Sequence, residues 1–283
     1  RVAYSWDFST GGNNDGILMK NSHLNPAGNG LLADYQSAPD GSSEAPLTAA
    51  AAARLAYLLG SRAHEEPASD YDFRARNFDS IMGDIVHSQP VYVGEPTLQW
   101  PDSGAFDYGV GQHYSDFVSA LSGRAGTVYA GGNAGALHAF SADTGEEVLA
   151  YFPAHLASSD INGGYHYLTD PGYTHRYYVD GSPVVSDVYV KASPAGAAAW
   201  RSVLVGSDGA GGKGLFALDV TDPGNFQNTS VKASQLVLWE FSDADDPNLG
   251  YTFSKPTIAL LNNGKWAAIV GNGYGNSGSG KAE

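Results

Sequence analysis

The stretch GTVYAGGNAGALHAFSADTGEEVLAYFP, residues 126–153, decides the fold of this chain. Apolar and polar residues alternate over three short runs, as they do on the two faces of a β-strand. Glycines stand between the runs, where the chain must reverse. The stretch therefore predicts three antiparallel strands, and it needs partners because one such unit cannot bury its own faces.

The same pattern recurs along the chain. Three stretches place a Ser ahead of a Pro and then a β-branched run: IVHSQPVYVG (85–94), YVDGSPVVSDVYV (178–190) and YTFSKPTIALL (251–261). Their prolines, Pro90, Pro183 and Pro256, suit the first position of a strand, where a missing N–H breaks no ladder bond. We expect these three prolines at equivalent positions of a repeat.

A second shared feature follows each of these stretches, an apolar strand that runs into a Gly-rich reversal. It places Gly131, Gly206 and Gly271 at equivalent positions, 75 and 65 residues apart. Four short strands in a unit of this length are typical of β-propeller blades. We therefore predict an all-β fold, a partial β-propeller with four-stranded blades over residues 81–283. The stretch LHAFSADTGEEVLAYFP (137–153) resembles the blades of quinoproteins, so the blades are expected to be quinoprotein-like.

The extent of the repeat sets the expected number of blades. About two and a half blades are predicted, with the chain ending inside a blade, whereas a closed propeller needs about four. An open stack leaves sheet faces and strand edges unsatisfied. The pattern therefore indicates a piece of a longer protein.

Residues 1–80 predict an irregular leading segment with one strand-like piece, RVAYSWDF. A single helix is expected near residues 48–59, where Thr48 precedes an alanine run. Leu55, Leu58 and Leu59 fall on one face of it, and Gly60 is suited to end it. That apolar face is expected to dock on the β-domain.

Composition excludes several classes of function. The chain has 15 Lys and Arg against 30 Asp and Glu, so its formal net charge of −15 disfavours nucleic acid and anionic membrane surfaces. The absence of cysteine excludes disulfides and thiol chemistry. The longest apolar stretch, residues 47–60, is too short for a transmembrane segment. Many glycines and tyrosines with few lysines favour an extracytoplasmic β-protein.

The strongest metal-ligand candidates in the sequence are Asp243, Asp245 and Asp246, within SDADDPNLG at 242–250. Closely spaced carboxylates suit Ca²⁺, but the order of an EF-hand loop and a distal Glu are missing. A solvated loop between strands is therefore the favoured interpretation. No histidine pair has metal spacing and no G-x-S-x-G elbow occurs, so no catalytic or cofactor residue is assigned.

The aromatic-rich connection GGYHYLTDPGYTHRYYV, residues 163–179, is a long insertion within a repeat. Loops that interrupt a rigid scaffold are common binding sites, and tyrosine gives a large contact area at low entropic cost. Tyr165, Tyr167 and Tyr173 are therefore candidates for contact with a partner. The alternative, that these tyrosines only cover a face of the propeller, is equally compatible with the sequence.

Three longer stretches carry a family resemblance. They are FRARNFDSIMGDIVHSQPVYVG (73–94), YTHRYYVDGSPVVSDVYV (173–190) and DDPNLGYTFSKPTIALLNNGKWAAIVGNGYGNSGSGKA (245–282). In this order they resemble the C-terminal β-propeller of the PilC/PilY family, the tip-associated adhesins and assembly factors of bacterial type IV pili. The resemblance extends over roughly residues 48–283 in collinear order.

This resemblance implies a non-enzymatic module that supports pilus biogenesis and extension, twitching motility and adhesion to host or abiotic surfaces. It further implies minor pilins of the pilus tip as partners, and a pilus-tip, outer-membrane-surface or secreted location. Calcium is expected for the family through a loop beyond Glu283. Two alternatives remain, a propeller of a quinone (PQQ)-dependent dehydrogenase and a periplasmic propeller scaffold for outer-membrane assembly.

Overall fold

The computed structural model describes residues 1–7, 15–20, 34, 47–68, 71–193 and 196–278. Twelve strands in this part of the chain form sheets of six, four and two strands. The strands are β1 (Val2–Asp7), β2 (Asp15–Leu18), β3 (Val91–Val93), β4 (Thr127–Gly131), β5 (Leu137–Ser141), β6 (Glu147–Tyr151), β7 (Val184–Lys191), β8 (Ala198–Ser207), β9 (Gly214–Asp219), β10 (Val237–Ser242), β11 (Thr257–Leu260) and β12 (Trp266–Ile269).

The predicted blades are confirmed. Strands β3–β6 pair in antiparallel order as a first blade, and β7–β10 do so as a second. The hairpin β11–β12 begins a third blade. Pro90, Pro183 and Pro256 each directly precede the first strand of their blade, where the missing N–H costs no ladder bond.

The leading segment contributes two strands to the first sheet, whose order is β2-β1-β6-β5-β4-β3. Strand β1 runs parallel to β6, with Val2 opposite Leu149 and Tyr4 opposite Tyr151. The guanidinium of Arg1 also pairs with the carboxylate of Glu147 at 2.8 Å. The expectation of an irregular segment misses this pairing, because a parallel partner so distant in sequence leaves no local pattern.

Three α-helices lie in the described residues: α1 (Leu47–Leu58), α2 (Tyr114–Ala120) and α3 (Ser230–Leu236). Helix α1 is the expected N-terminal helix, although it begins before Thr48. Leu55 and Leu58 are buried as predicted, whereas Leu59 follows the helix and is exposed. Gly60 adopts φ +101° and donates its N–H to the carbonyl of Tyr57, so it ends the helix as predicted.

The sequence pattern does not predict α2 and α3. Each has only seven residues, too few for an apolar period to emerge. Their starts are fixed by caps: His113 and Asp116 form a capping box on α2, and Thr229 accepts the N–H of Lys232 on α3.

The first two blades pack face to face. The second blade is therefore the partner against which residues 126–153 bury one face. Leu149 and Tyr151 of β6 are fully buried with Phe216 of β9, and the rings of Tyr151 and Phe216 lie 4.9 Å apart. A Cβ atom on Gly131 would lie 2.2 Å from the carbonyl oxygen of Val179. The first blade therefore requires glycine at residue 131 because the backbone of Val179 approaches it closely.

Candidate functional site

The aromatic connection over residues 163–179 lies mostly inside the molecule. Tyr165 and Tyr167 are buried, and Tyr173 is partly buried against the core. The burial of Tyr165 and Tyr167 argues against the predicted contact of these two tyrosines with a partner. The sequence of an aromatic loop does not show whether the loop is exposed to solvent or folded back on a sheet. In this protein the loop folds back on the sheet.

Asp34 anchors this connection. Its buried carboxylate accepts the backbone N–H groups of Tyr165 at 2.7 Å and His166 at 2.8 Å, and it lies 2.6 Å from Nδ1 of His166. Burial raises the pKa of the Asp34 carboxyl, while the bonds from His166 and Tyr165 act in the opposite direction. The connection is thus held by a buried polar group of the leading segment.

The hydroxyl groups of the buried tyrosines are also engaged. The hydroxyl of Tyr165 donates to the carbonyl of Pro153 at 2.6 Å, and that of Tyr178 donates to the carbonyl of Gly164 at 2.7 Å. The hydroxyl of Tyr167 accepts the N–H of Thr174 at 3.0 Å. Satisfied hydroxyls and burial together identify this part of the connection as a structural cover.

The exposed end of the connection adjoins a group of exposed apolar side chains. Nε2 of His175 lies 2.9 Å from Oδ2 of Asp84, which joins the connection to the segment ahead of β3. That segment carries what we call the 78–86 surface: Phe78, Ile81, Met82, Ile85 and Val86, all exposed, with Phe78 at 93%. Neighbouring exposed apolar side chains of this kind commonly mark a contact site.

A cavity of about 250 Å³ opens beside the 78–86 surface. Arg74, Arg76, Tyr173 and His175 line it together with Met82. The guanidinium of Arg74 lies 4.2 Å from the ring centre of Tyr173, so this tyrosine is held in place by a cation–π contact. Of the three predicted tyrosines, Tyr173 alone borders this surface.

The three acidic residues considered as metal ligands, Asp243, Asp245 and Asp246, lie in a turn. Oδ2 of Asp245 accepts the N–H of Ser242 at 2.9 Å, and Oδ1 of Asp246 accepts the N–H of Asn248 at 2.9 Å. Asp243 faces Lys213 at 3.4 Å. Within the described ranges, no three His, Asp or Glu side chains come together in a group that is able to hold a metal ion.

A buried ionic cluster joins the first two blades, and sequence analysis misses it. His155 follows β6; its Nε2 lies 2.7 Å from Oδ2 of Asp208, and its Nδ1 lies 2.8 Å from Oε2 of Glu240. Glu240 also binds the hydroxyl of Tyr151 and accepts the N–H of Ala154 at 2.8 Å. Asp208 and Glu240 lie 53 and 85 residues from His155, so no local sequence motif predicts the cluster.

The charge state of this cluster follows from its geometry. Burial disfavours the charged imidazole, but the carboxylates of Asp208 and Glu240 outweigh burial and hold the pKa of His155 well above its ordinary value. Burial raises the pKa of Asp208, although His155 opposes this. All three side chains are closed off from solvent, so the cluster fastens blades together and offers no access to a substrate.

Comparisons with known proteins agree with the blade architecture. Residues 82–283 match the family model of the PilY1 β-propeller domain. The type IV pilus biogenesis factor PilY1 of Pseudomonas aeruginosa strain PAK is 45% identical over 224 residues, 78% of this chain and 17% of that protein. A PilY1 homolog of Xylella fastidiosa is 40% identical over 227 residues, 80% of this chain and 17% of that protein.

A solved structure adds a further similarity. The crystal structure of the Pseudomonas aeruginosa PilY1 C-terminal domain is 42% identical and covers 58% of this chain and 28% of its own, with a TM-score of 0.43. In the described residues, no helix combines the length and the apolar character that crossing a membrane requires. The chain spans about a sixth of the length of the curated relatives cited, and the family model covers most of it. This chain therefore belongs to the PilY1 β-propeller family.

Proposed function

We propose that this chain is a non-enzymatic propeller module of a type IV pilus tip-associated protein. The observation that carries the proposal is the match of residues 82–283 to the PilY1 propeller domain, whose relatives are named type IV pilus biogenesis factors. In this role the module supports pilus biogenesis and extension, twitching motility and surface adhesion. Its location is extracytoplasmic, at the pilus tip or the outer-membrane surface.

The physical contribution of the module is a rigid platform. The buried cluster of His155, Asp208 and Glu240 and the packing of Tyr151 on Phe216 fix two blades relative to each other. Rigid elements hold a contact surface in place at little entropic cost. The dehydrogenase alternative gains no support, because the matched relatives are biogenesis factors rather than redox enzymes.

The contact with minor pilins of the tip is assigned to the 78–86 surface. The burial of Tyr165 and Tyr167 removes them as contact residues, whereas Phe78 and Val86 of this surface are exposed to solvent. A few well-packed side chains near the centre of a contact contribute most of its binding energy. Calcium bound through a loop beyond Glu283 remains a proposal for the longer protein.

The test places charges on this surface in the full-length parent protein. The double substitution Phe78→Asp and Val86→Asp is compared with Val110→Asp, since Val110 is 96% exposed at a different position. We expect the double variant to lower surface piliation and the twitching zone while its protein level stays normal. The Val110 control should behave as the unmodified protein.

Two outcomes would count against the proposal. Normal piliation and twitching in a stable double variant would exclude the 78–86 surface as the pilin contact. Turnover of an alcohol substrate with added quinone would contradict the non-enzymatic role.

A further inference from the structure

A small polar cleft lies where three consecutive blades meet. His87 borders it from the residues ahead of β3, Asp180 from those ahead of β7, and Lys255 from those ahead of β11. Ser207, the last residue of β8, forms part of its wall. The cleft has a volume of about 160 Å³, which suits a small chemical group rather than a large cofactor.

Asp180, the carboxylate that lines this cleft, already has a hydrogen-bond partner. Oδ2 of Asp180 lies 2.5 Å from Nδ1 of His87, and Oδ1 accepts the backbone N–H of the same histidine at 3.2 Å. Asp180 is buried, whereas the His87 side chain is 62% exposed. The contact with Asp180 fixes the ring of His87 and leaves Nε2 as the nitrogen available to a ligand.

Ser207 offers a second polar group without a partner. The residue is 1% exposed, and its Oγ has no hydrogen-bond partner among the described residues. A buried hydroxyl that stays unpaired carries a free-energy cost, which a ligand at this position removes.

The second blade carries this hydroxyl at a different position from the other two blades. In the first and third blades, the residue two positions ahead of the blade proline is a serine, Ser88 or Ser254. The hydroxyl of each serine accepts the N–H of the blade glycine, Gly131 or Gly271, at 2.8 Å. The second blade has Gly181 at this position, and a Cβ atom there would lie 2.1 Å from Oγ of Ser207. In the second blade the hydroxyl therefore lies on β8, at Ser207, where it borders the cleft.

Lys255 supplies a positive charge. Its side chain is exposed and forms no ion pair with any carboxylate in the part of the chain that the structure describes. The ring of Phe253, also exposed, provides an apolar wall beside it. The cleft therefore combines an ammonium group, an imidazole nitrogen and an unpaired hydroxyl in a chain whose overall charge is −15.

We propose that this cleft binds a carboxylate group, carried by a small organic acid or by an acidic peptide. Lys255 binds the carboxylate oxygens, and Nε2 of His87 takes up a proton on binding and donates it in a hydrogen bond to one of them. Oγ of Ser207 donates a second hydrogen bond, and the Phe253 ring packs on the attached carbon. One ammonium group matches the single charge of a carboxylate better than the double charge of a phosphate. The inference is independent of the pilus contact, which lies on the 78–86 surface.

The test is an NMR titration of the 283-residue chain, following the ring C–H signals of His87. Sodium succinate and the blocked peptide acetyl-Gly-Asp-Gly-amide are the two carboxylate probes, with sodium chloride and inorganic phosphate at matched ionic strength as controls. We expect the chemical shifts of the His87 ring signals to change and saturate as a carboxylate probe is added. Sodium chloride should leave these chemical shifts unchanged. The tighter of the two probes identifies a free acid or a peptide as the source.

Matched variants separate the cleft from general charge effects. Lys255→Gln should weaken carboxylate binding about tenfold, the loss of one charge-assisted hydrogen bond, and Ser207→Ala about threefold. Lys265→Gln removes an equal charge from the exposed β11–β12 turn and should leave binding unchanged. The proposal would be overturned if the two lysine variants bound the carboxylate probes equally well. It would also be overturned if phosphate alone gave saturation, or if neither carboxylate probe did.

Discussion

Nε2 of His155 lies 2.7 Å from Oδ2 of Asp208, and this contact ties the end of the first blade to the second. The same ring reaches Glu240 through Nδ1 at 2.8 Å. One imidazolium therefore stands between two buried carboxylates. Removing it leaves those carboxylates without their cation, which costs more than the loss of an exposed ion pair.

The first prediction concerns this cation. His155→Gln should lower the free energy of unfolding by about 3–5 kcal/mol, because it leaves two buried carboxylates unpaired. His175→Gln, which removes an exposed contact with Asp84, should cost about 0–1 kcal/mol. Urea denaturation followed by tryptophan fluorescence measures both. Equal stability of the two variants would show that the cluster contributes nothing to the fold.

The pH dependence of stability gives a second prediction. The pKa of His155 is raised in the folded chain, so its stabilisation is complete below its unfolded pKa of about 6.5 and is lost as pH rises through the folded value. The stability difference between the unmodified chain and His155→Gln should therefore be constant at acid pH and narrow toward alkaline pH. Urea midpoints at several pH values measure it, and a difference that widens with pH would contradict the assignment.

The aromatic connection gives a third prediction. Tyr165→Ala should destabilise the chain by about 3–5 kcal/mol, as for other large buried aromatic side chains. Tyr165→Phe removes only the hydroxyl that binds Pro153 and should cost about 1 kcal/mol. Tyr177→Ala, at an exposed position of the same connection, is the control and should change stability little. Thermal unfolding separates the three, and a neutral Tyr165→Ala would exclude a structural role.

The glycine at equivalent positions of the three blades provides a fourth prediction. A Cβ atom would lie 2.2 Å from the Val179 oxygen at Gly131 and 2.2 Å from the Phe216 ring at Gly206, but 3.6 Å from its nearest neighbour at Gly271. Gly131→Ala and Gly206→Ala should each cost about 1–3 kcal/mol through overpacking.

Gly271→Ala is the matched control, and we expect it to be tolerated because the added methyl group meets only an ordinary contact. The midpoints of denaturation of the three single variants, measured side by side, decide the matter. Destabilisation by Gly271→Ala of the same size would show that close packing does not set the requirement for glycine at this position of the blades.

The blades were predictable because each is encoded locally and then repeated. Alternation located β4, β5 and β6, and the prolines marked the first strands. The pairing of β1 with β6 was not predictable, because the pattern of a strand does not show which distant strand it pairs with. Helices α2 and α3 are too short for a periodic signal, and their caps become evident only once their ends are known.

The candidate sites were less predictable for a related reason. Tyrosine has an apolar ring and a polar hydroxyl, so its type does not separate a buried cover such as Tyr165 from an exposed contact such as Tyr177. The members of the His155 cluster come from the segment after β6, the residue after β8 and the middle of β10. The residues of the cleft at His87 come from three blades. Only the folded repeat brings these side chains together.

The parallel pairing of β1 with β6 determines how the domain bears a pulling force. The pairs Val2–Leu149 and Tyr4–Tyr151 run in the same direction, and the hydroxyl of Ser5 adds a bond to the carbonyl of Phe152 at 2.7 Å. Tension between residue 1 and the chain beyond Tyr151 loads these bonds together, in shear, instead of peeling them apart one by one. Single-molecule stretching across these points should therefore require a higher rupture force than stretching across the ends of the β11–β12 hairpin.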